Sequence, residues 1–152
     1  VVYSHSGHTL RVARALDENL VKGGHQVTLT QLETVEPLQM SDTTARLRSR
    51  PPLDGYDAVV FACPVRGGTP APPMRVYLED LATLQGKQVF CFVTGFFPAA
   101  WGREQTLAQM RDLCEAKGAI GVRSDSVWWT SLRRKKQIAT LVDHISGALV
   151  AL

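Results

Sequence analysis

Apolar residues along the chain fall into two alternating kinds of run. Val1-Val2-Tyr3 reads as the end of a buried strand, after which Leu10, Ala13, Leu16 and Leu20 recur at helical spacing and Gly23-Gly24 supply a stop. Val27, Leu29 and Thr30 suggest a second short strand. Residues 32 to 56 then lose clear periodicity and end in Pro51-Pro52 and Asp54-Gly55, with a helix only weakly signalled. Ala58 to Cys63 is an unbroken apolar run of strand length, followed by a Pro/Gly-rich loop from Pro64 to Pro73. Next comes a helix with Met74, Tyr77, Leu78 and Leu81 on one face. The pattern repeats with the strand-like run Val89 to Val93, a Gly- and aromatic-rich loop, and Leu107, Met110, Leu113 and Cys114 at helical spacing. Ile120 to Trp129 is a less regular strand candidate, and Ile138, Leu141, Val142, Ile145 and Leu149 form the stripe of a terminal helix.

Strands apolar on both faces, separated by amphipathic helices, predict a parallel sheet covered on both sides. Five strand-and-helix units predict an α/β, three-layer, doubly wound domain with a five-stranded parallel sheet. Ligands of such sheets bind at the carboxyl ends of the strands, beside the topological switch point. The loops after Tyr3, Cys63 and Val93 are therefore the expected seat of function.

Composition narrows this picture. The chain has 152 residues, 45% apolar and 20% charged, the size of one domain, expected over residues 1–152 and able to bury roughly two-thirds of its unfolded surface. Its longest apolar runs are far short of the ~20 residues of a membrane-spanning helix, and no charged-then-apolar leader opens the chain. The expectation is a cytoplasmic protein without membrane insertion. The chain opens on Val1 rather than Met, and three residues are short for a central strand, so a first strand truncated at its N-terminus is expected.

Cys63, Cys91 and Cys114 are widely spaced among apolar neighbours, with no CxxC pair and no His at metal-ligand spacing. They read as small buried hydrophobes, and neither a disulfide framework nor a metal site is expected. The formal net charge is +3. Arg46, Arg48 and Arg50 form one basic group and Arg133 to Lys136 another. Neither is interleaved with aromatics, so both read as a solvated face or a helix end rather than nucleic-acid patches.

Ser4-His5-Ser6-Gly7-His8-Thr9 joins the first strand to the first helix. Its hydroxyls, a Gly that lets the backbone turn, and the unpaired N–H groups of a helix start can together cradle a phosphate dianion. Helix capping by Ser6 or Thr9 would account for the same residues. The segment is neither GxxxxGK[ST] nor GxGxxG, which leaves nucleotide phosphate transfer without support. No nucleophile or carboxylate lies near His5 and His8 in sequence, so hydrogen bonding to a phosphate or simple exposure suits them better than catalysis.

Taken together, Val2 to Thr9, Tyr56 to Pro64 and Gly86 to Thr94 resemble the flavodoxin superfamily of FMN-binding proteins over nearly the whole chain. Ser4, Ser6, Gly7 and Thr9 match that family's hydroxyl-rich phosphate loop. His8, which stands where Asn is usual, is instead similar to the WrbA-type NAD(P)H:quinone reductases. Pro64 to Thr69, running on to Met74-Arg75 and Tyr77-Leu78-Glu79, resembles the reductase segment without a gap, except that Gly67 replaces its aromatic residue. Thr94 to Thr106 has the family's Thr-Gly start and Gly-x-Glu-Gln-Thr ending around a different middle.

The resemblance implies a flavodoxin-like strand order 2-1-3-4-5 and an FMN cofactor. Ser4, His5, Ser6, Gly7, His8 and Thr9 would hold the phosphate. Pro64, Val65, Arg66, Gly67, Gly68 and Thr69 would flank the ring on one side, and Thr94, Gly95, Phe96, Phe97 and Trp101 on the other. Phe96, Phe97 and Trp101 are candidate stackers, though aromatics in a loop equally serve packing. Gly67-Gly68 permits close approach to the ring or makes an ordinary turn. Arg66 pairs with a substrate or nicotinamide phosphate, or is simply exposed. Of the adjacent Trp128 and Trp129, which point to opposite faces if extended, one is expected to be buried.

The function implied is an FMN redox protein, either an electron carrier or an FMN-dependent NAD(P)H:quinone oxidoreductase. Its partners would be NAD(P)H and a quinone or a redox partner protein, with a homo-oligomer compatible. Carriers of this family are typically strongly acidic, whereas this chain is weakly basic, which predicts a less negative flavin potential. The other class is a flavodoxin-like binding module that has lost FMN or binds another phosphate-bearing ligand.

Overall fold

The computed structural model describes residues 1–98 and 100–150. Its elements run α1 (His8–Lys22), β1 (Ala58–Arg66), β2 (Thr69–Pro70), α2 (Pro72–Asp80), β3 (Gln88–Gly95), α3 (Ala100–Ala116), β4 (Arg123–Trp128) and α4 (Arg134–Val150). The regular sheet has the order β2-β1-β3-β4. β1, β3 and β4 are parallel, with Ala58 opposite Gln88 and Pro64 opposite Thr94 in one ladder and Phe90 opposite Arg123 in the next. β2 is antiparallel to β1.

Alternation along the two central strands builds two cores. Val59, Phe61 and Cys63 of β1 and Val89, Cys91 and Val93 of β3 face one side, under Met74, Tyr77 and Leu78 of α2 and Leu107 and Met110 of α3. Ala62, Phe90 and Phe92 face the other, under Val12, Leu16 and Leu20 of α1 and Leu141 and Ile145 of α4. A strand apolar at every position is satisfied only when both faces are covered, so the three expected layers are present.

The expected five-stranded parallel sheet is corrected in three places. Val1–Tyr3 and the Val27–Thr30 region do not form ladders. Val2 makes one parallel bridge to Gln31 and one to Ala62. The strand β2 was not expected. It exists because Gly67 and Gly68, at φ 59° and 76°, turn the chain back on itself in the left-handed geometry that two-residue hairpins need. Finally, no helix forms between α1 and β1.

That segment carries Pro37, Pro51 and Pro52 and no apolar stripe, and it is pinned by side chains instead. Leu32 and Leu47 are buried against the first core. Arg46 pairs with Glu36 at 3.0 Å, Arg50 with Asp80 at 2.8 Å, and Arg48 donates to the Thr34 carbonyl at 3.1 Å. Arg66 Nη2 donates to Gln39 O at 2.7 Å, and Tyr77 Oη to Pro51 O at 2.6 Å. Arg46, Arg48 and Arg50 lie on an exposed face, where their side chains also bridge parts of this irregular cover. Cys63, Cys91 and Cys114 are buried and free. Among the described residues no helix is long and apolar enough to cross a membrane.

Candidate functional site

The carboxyl ends of β1 and β3 bring the three expected segments together. Gly7 takes φ 90° at the start of α1, a conformation costly for any residue with a Cβ, and as N-cap it has no side chain with which to cap the helix. Ser4 Oγ accepts from the Leu10 amide at 3.2 Å. Among the described residues, no hydrogen bond engages the backbone N–H groups of Ser6, Gly7, His8 or Thr9. His5, Ser6 and Gly7 are exposed, and a Cβ on Gly7 would meet nothing within 4 Å. Free N–H groups, hydroxyls and open space at a helix start are a donor set suited to a phosphate. Thr9 turns inward, its buried Oγ1 2.8 Å from Thr94 Oγ1. It therefore ties this loop to β3 and does not cap the helix.

His8 lies flat on Trp129, with ring centroids 4.1 Å apart and planes 15° apart, and meets Phe96 at a tilt, with centroids 5.2 Å apart. Burial lowers its pKa, and the nearby charges of Arg134 and Arg11 lower it further. The Arg134 guanidinium covers the Trp129 ring at 4.6 Å and donates to Trp129 O at 3.1 Å. Trp129 is the buried member of the tryptophan pair. The Trp128 indole N–H donates to Phe96 O at 3.1 Å and to Thr130 Oγ1 at 2.7 Å. Trp128, Trp129 and Arg134 were not among the expected site residues. Their signal was position alone, at the end of the last strand and the start of the helix after it.

The second segment is less open than expected. Pro64, Val65 and Arg66 are the end of β1, Gly67-Gly68 form the hairpin turn, and Thr69 Oγ1 donates to Arg66 O at 2.8 Å. A Cβ on Gly68 would come within 2.8 Å of Gln105 Oε1 and 3.5 Å of the Trp101 ring, and Gln109 Nε2 donates to Gly68 O at 3.0 Å. The close approach that Gly68 permits here is to α3. Arg66 Nη1 is buried without a partner.

In the third segment Thr94 and Gly95 complete β3, and Trp101 belongs to α3 rather than a loop. Ala99 lies outside the described residues. Phe96, Phe97 and Trp101 are 53%, 80% and 65% exposed, so they are not core residues; Phe96 meets His8 at the start of α1, and Trp101 lies beside Gly68 of the hairpin. Arg103, absent from the sequence expectation, donates from Nη1 to Phe97 O at 2.8 Å. A large cavity of about 620 Å³ lies at the opposite end of the strands, lined by residues such as Val27, Thr30 and Ala58, and shares no residue with the three segments.

No family model matches the chain. It is 27% identical over 128 residues to an NAD(P)H dehydrogenase (quinone) of Archaeoglobus fulgidus, an alignment covering 72% of this chain and 66% of that protein. The chain thus spans about two thirds of that relative. A WrbA-like flavodoxin from Agrobacterium tumefaciens superposes with a TM-score of 0.66 over 97% of this chain and 93% of its own, at 18% identity. The fold is flavodoxin-like. A flavoprotein from Lactobacillus acidophilus NCFM, solved in complex with FMN, shares this flavodoxin-like fold at a TM-score of 0.58 and 16% identity, over 84% of this chain and 89% of its own.

Proposed function

We propose that this chain is one flavodoxin-like domain that binds FMN at the carboxyl end of its sheet and passes electrons between NAD(P)H and a quinone-like acceptor or a redox partner. The observation that carries this reading is the meeting, at one edge, of a glycine-started helix whose Ser6 to Thr9 N–H groups are free and an exposed aromatic surface, joined by the Thr9–Thr94 hydroxyl pair. The A. fulgidus relative and the FMN-bound neighbour support it. The parallel bridges of Val2 to Gln31 and Ala62 support the strand order 2-1-3-4-5, with the first two strands reduced to single contacts.

In this reading Ser4, Ser6 and the amides of Ser6 to Thr9 hold the phosphate, and Arg11 and Arg134, close enough to His8 to depress its pKa, add positive potential. A neutral His8 offers a ring N–H to that phosphate. Phe96, Phe97 and Trp101 offer the apolar surface that a flat ring requires and limit water around it. When bound, FMN supplies the capacity to accept and deliver a hydride or single electrons. The absorption spectrum of the purified protein tests the proposal. Flavin bands that bleach with NADH or NADPH and return with a quinone support a reductase, and bands that bleach only with a chemical or protein reductant support a carrier. A colourless protein that takes up no added FMN overturns both. It would favour a module for another phosphate-bearing ligand, the reading supported by the packing of Gln105 against Gly68.

A further inference from the structure

Three buried side-chain polar atoms among the described residues lack a hydrogen-bond partner, and two are guanidinium nitrogens beside the proposed ring site, Arg66 Nη1 and Arg103 Nε. Native proteins rarely leave a buried donor unpaired, which marks both side chains for attention. Arg66 is otherwise engaged with Gln39 and Met40 of the irregular cover. Arg103 instead packs on the third segment of the site, against Gly95 and Phe97. Its Cγ and Cδ lie 3.1 Å and 3.2 Å from where a Cβ on Gly95 would stand, and Val65 Cγ2 is 3.7 Å from the same point. The side chain therefore folds back from α3 over the end of β3, into the space between the β1 end and the Phe96-Phe97 segment, with Nη1 held by Phe97 O. Desolvation there lowers its pKa, and the neighbouring Glu104 carboxylate works against that shift.

We propose that Arg103 is the counter-charge to reduced flavin, a residue that sets the potential of the cofactor. This rests on the reading of the site as an FMN site and goes beyond it. On taking up two electrons from a reductant and one proton at N5, the isoalloxazine carries a negative charge spread over N1 and the C2 carbonyl oxygen. The oxidised ring carries none. A guanidinium held by Phe97 O against the ring slot would bind the reduced form more tightly than the oxidised, and differential binding of the two forms is what raises a potential. Gly95 is needed because the Arg103 methylenes occupy the place of its side chain.

The test is a redox titration of the FMN-loaded protein with dithionite, together with the dissociation constants of oxidised and reduced FMN, for wild type, Arg103→Gln and Arg103→Lys. Arg103→Gln is expected to weaken reduced FMN about tenfold relative to oxidised FMN, equivalent to a two-electron potential lower by ~30 mV. Arg103→Lys retains the charge and is expected to hold most of the wild-type ratio. An Arg103→Gln protein with the wild-type ratio overturns the proposal while leaving FMN binding intact. So does an Arg103→Lys protein that falls as far as Arg103→Gln, since shape rather than charge would then be responsible. A wild-type protein that binds no FMN overturns this inference and the proposed function together.

Discussion

Thr9 and Thr94 share a buried hydroxyl–hydroxyl hydrogen bond of 2.8 Å across 85 residues of sequence, linking the first turn of α1 to the end of β3. It joins two of the three segments of the site, so its loss is felt in stability and in ligand binding alike. Thr94→Val leaves a buried hydroxyl unpaired and is expected to cost about 1–3 kcal/mol in urea unfolding, with weaker phosphate or FMN binding. The Thr9→Val/Thr94→Val double variant removes both partners and is expected to be more stable than the sum of the single effects implies. Strict additivity would mean that the pair contributes nothing as a pair.

The hairpin turn separates two kinds of glycine. Gly67 has φ 59° with open space around it, while Gly68 has φ 76° and lies so close to α3 that a Cβ there would stand 2.8 Å from Gln105 Oε1. Gly67→Ala is expected to cost about 1–2 kcal/mol for the left-handed backbone alone. Gly68→Ala is expected to cost more, because Gln105 must also move. Thermal unfolding of the two variants, with Gly68→Ala in a Gln105→Ala background, checks the order: removing Gln105 should bring Gly68→Ala back to the Gly67→Ala level.

His8 is held below its ordinary pKa of about 6.5 by burial and then by Arg134 and Arg11. The neutral ring therefore prevails at pH 7. The folded pKa lies below the unfolded one, so this residue's contribution to stability is present above the unfolded value and is lost as pH falls through the folded one. An NMR titration of the imidazole is expected to give a midpoint below about 6.5 in the ligand-free protein. Arg134→Gln is expected to move it upward, and an unchanged midpoint would remove Arg134 from the account.

Burial pushes the Cys63 thiol up to about 12. Cys91 is raised by hydrogen bonding to Cys114 and then by burial. Thiolate is the reactive form, so a thiol reagent at mildly alkaline pH is expected to label none of the three cysteines in the native protein and all of them in denaturant. Rapid native labelling would contradict the packing of both central strands.

The two central strands were legible because each carries an unbroken apolar run, Ala58 to Cys63 and Val89 to Val93, and a doubly covered parallel strand satisfies that pattern. The helix stripes Leu10 to Leu20 and Ile138 to Leu149 were legible for the complementary reason, that each buries one face. The cover from residue 32 to 56 was not. It is fastened by Leu32 and Leu47, buried at aperiodic positions, and by long-range contacts such as Tyr77 to Pro51 O and Arg50–Asp80, none of which leaves a periodic trace. In the same way Gly67-Gly68 announced flexibility but not direction, and the hairpin closes because Val65 and Arg66 meet Pro70 and Thr69.

Local chemistry by itself determined the layered α/β class, the hydroxyl-and-glycine loop before α1 and the three strand ends on which function would sit. Hydrophobic period and turn residues are properties of neighbours in sequence. Only the tertiary structure decided that His8 would stack on Trp129, that Thr9 would face Thr94 rather than cap its own helix, and that Arg103 would cross Gly95 with an unpaired N–H. Each of these joins residues far apart in the chain or turned by the packing of a helix on the sheet, and contact, burial and charge acquire meaning only once those elements meet.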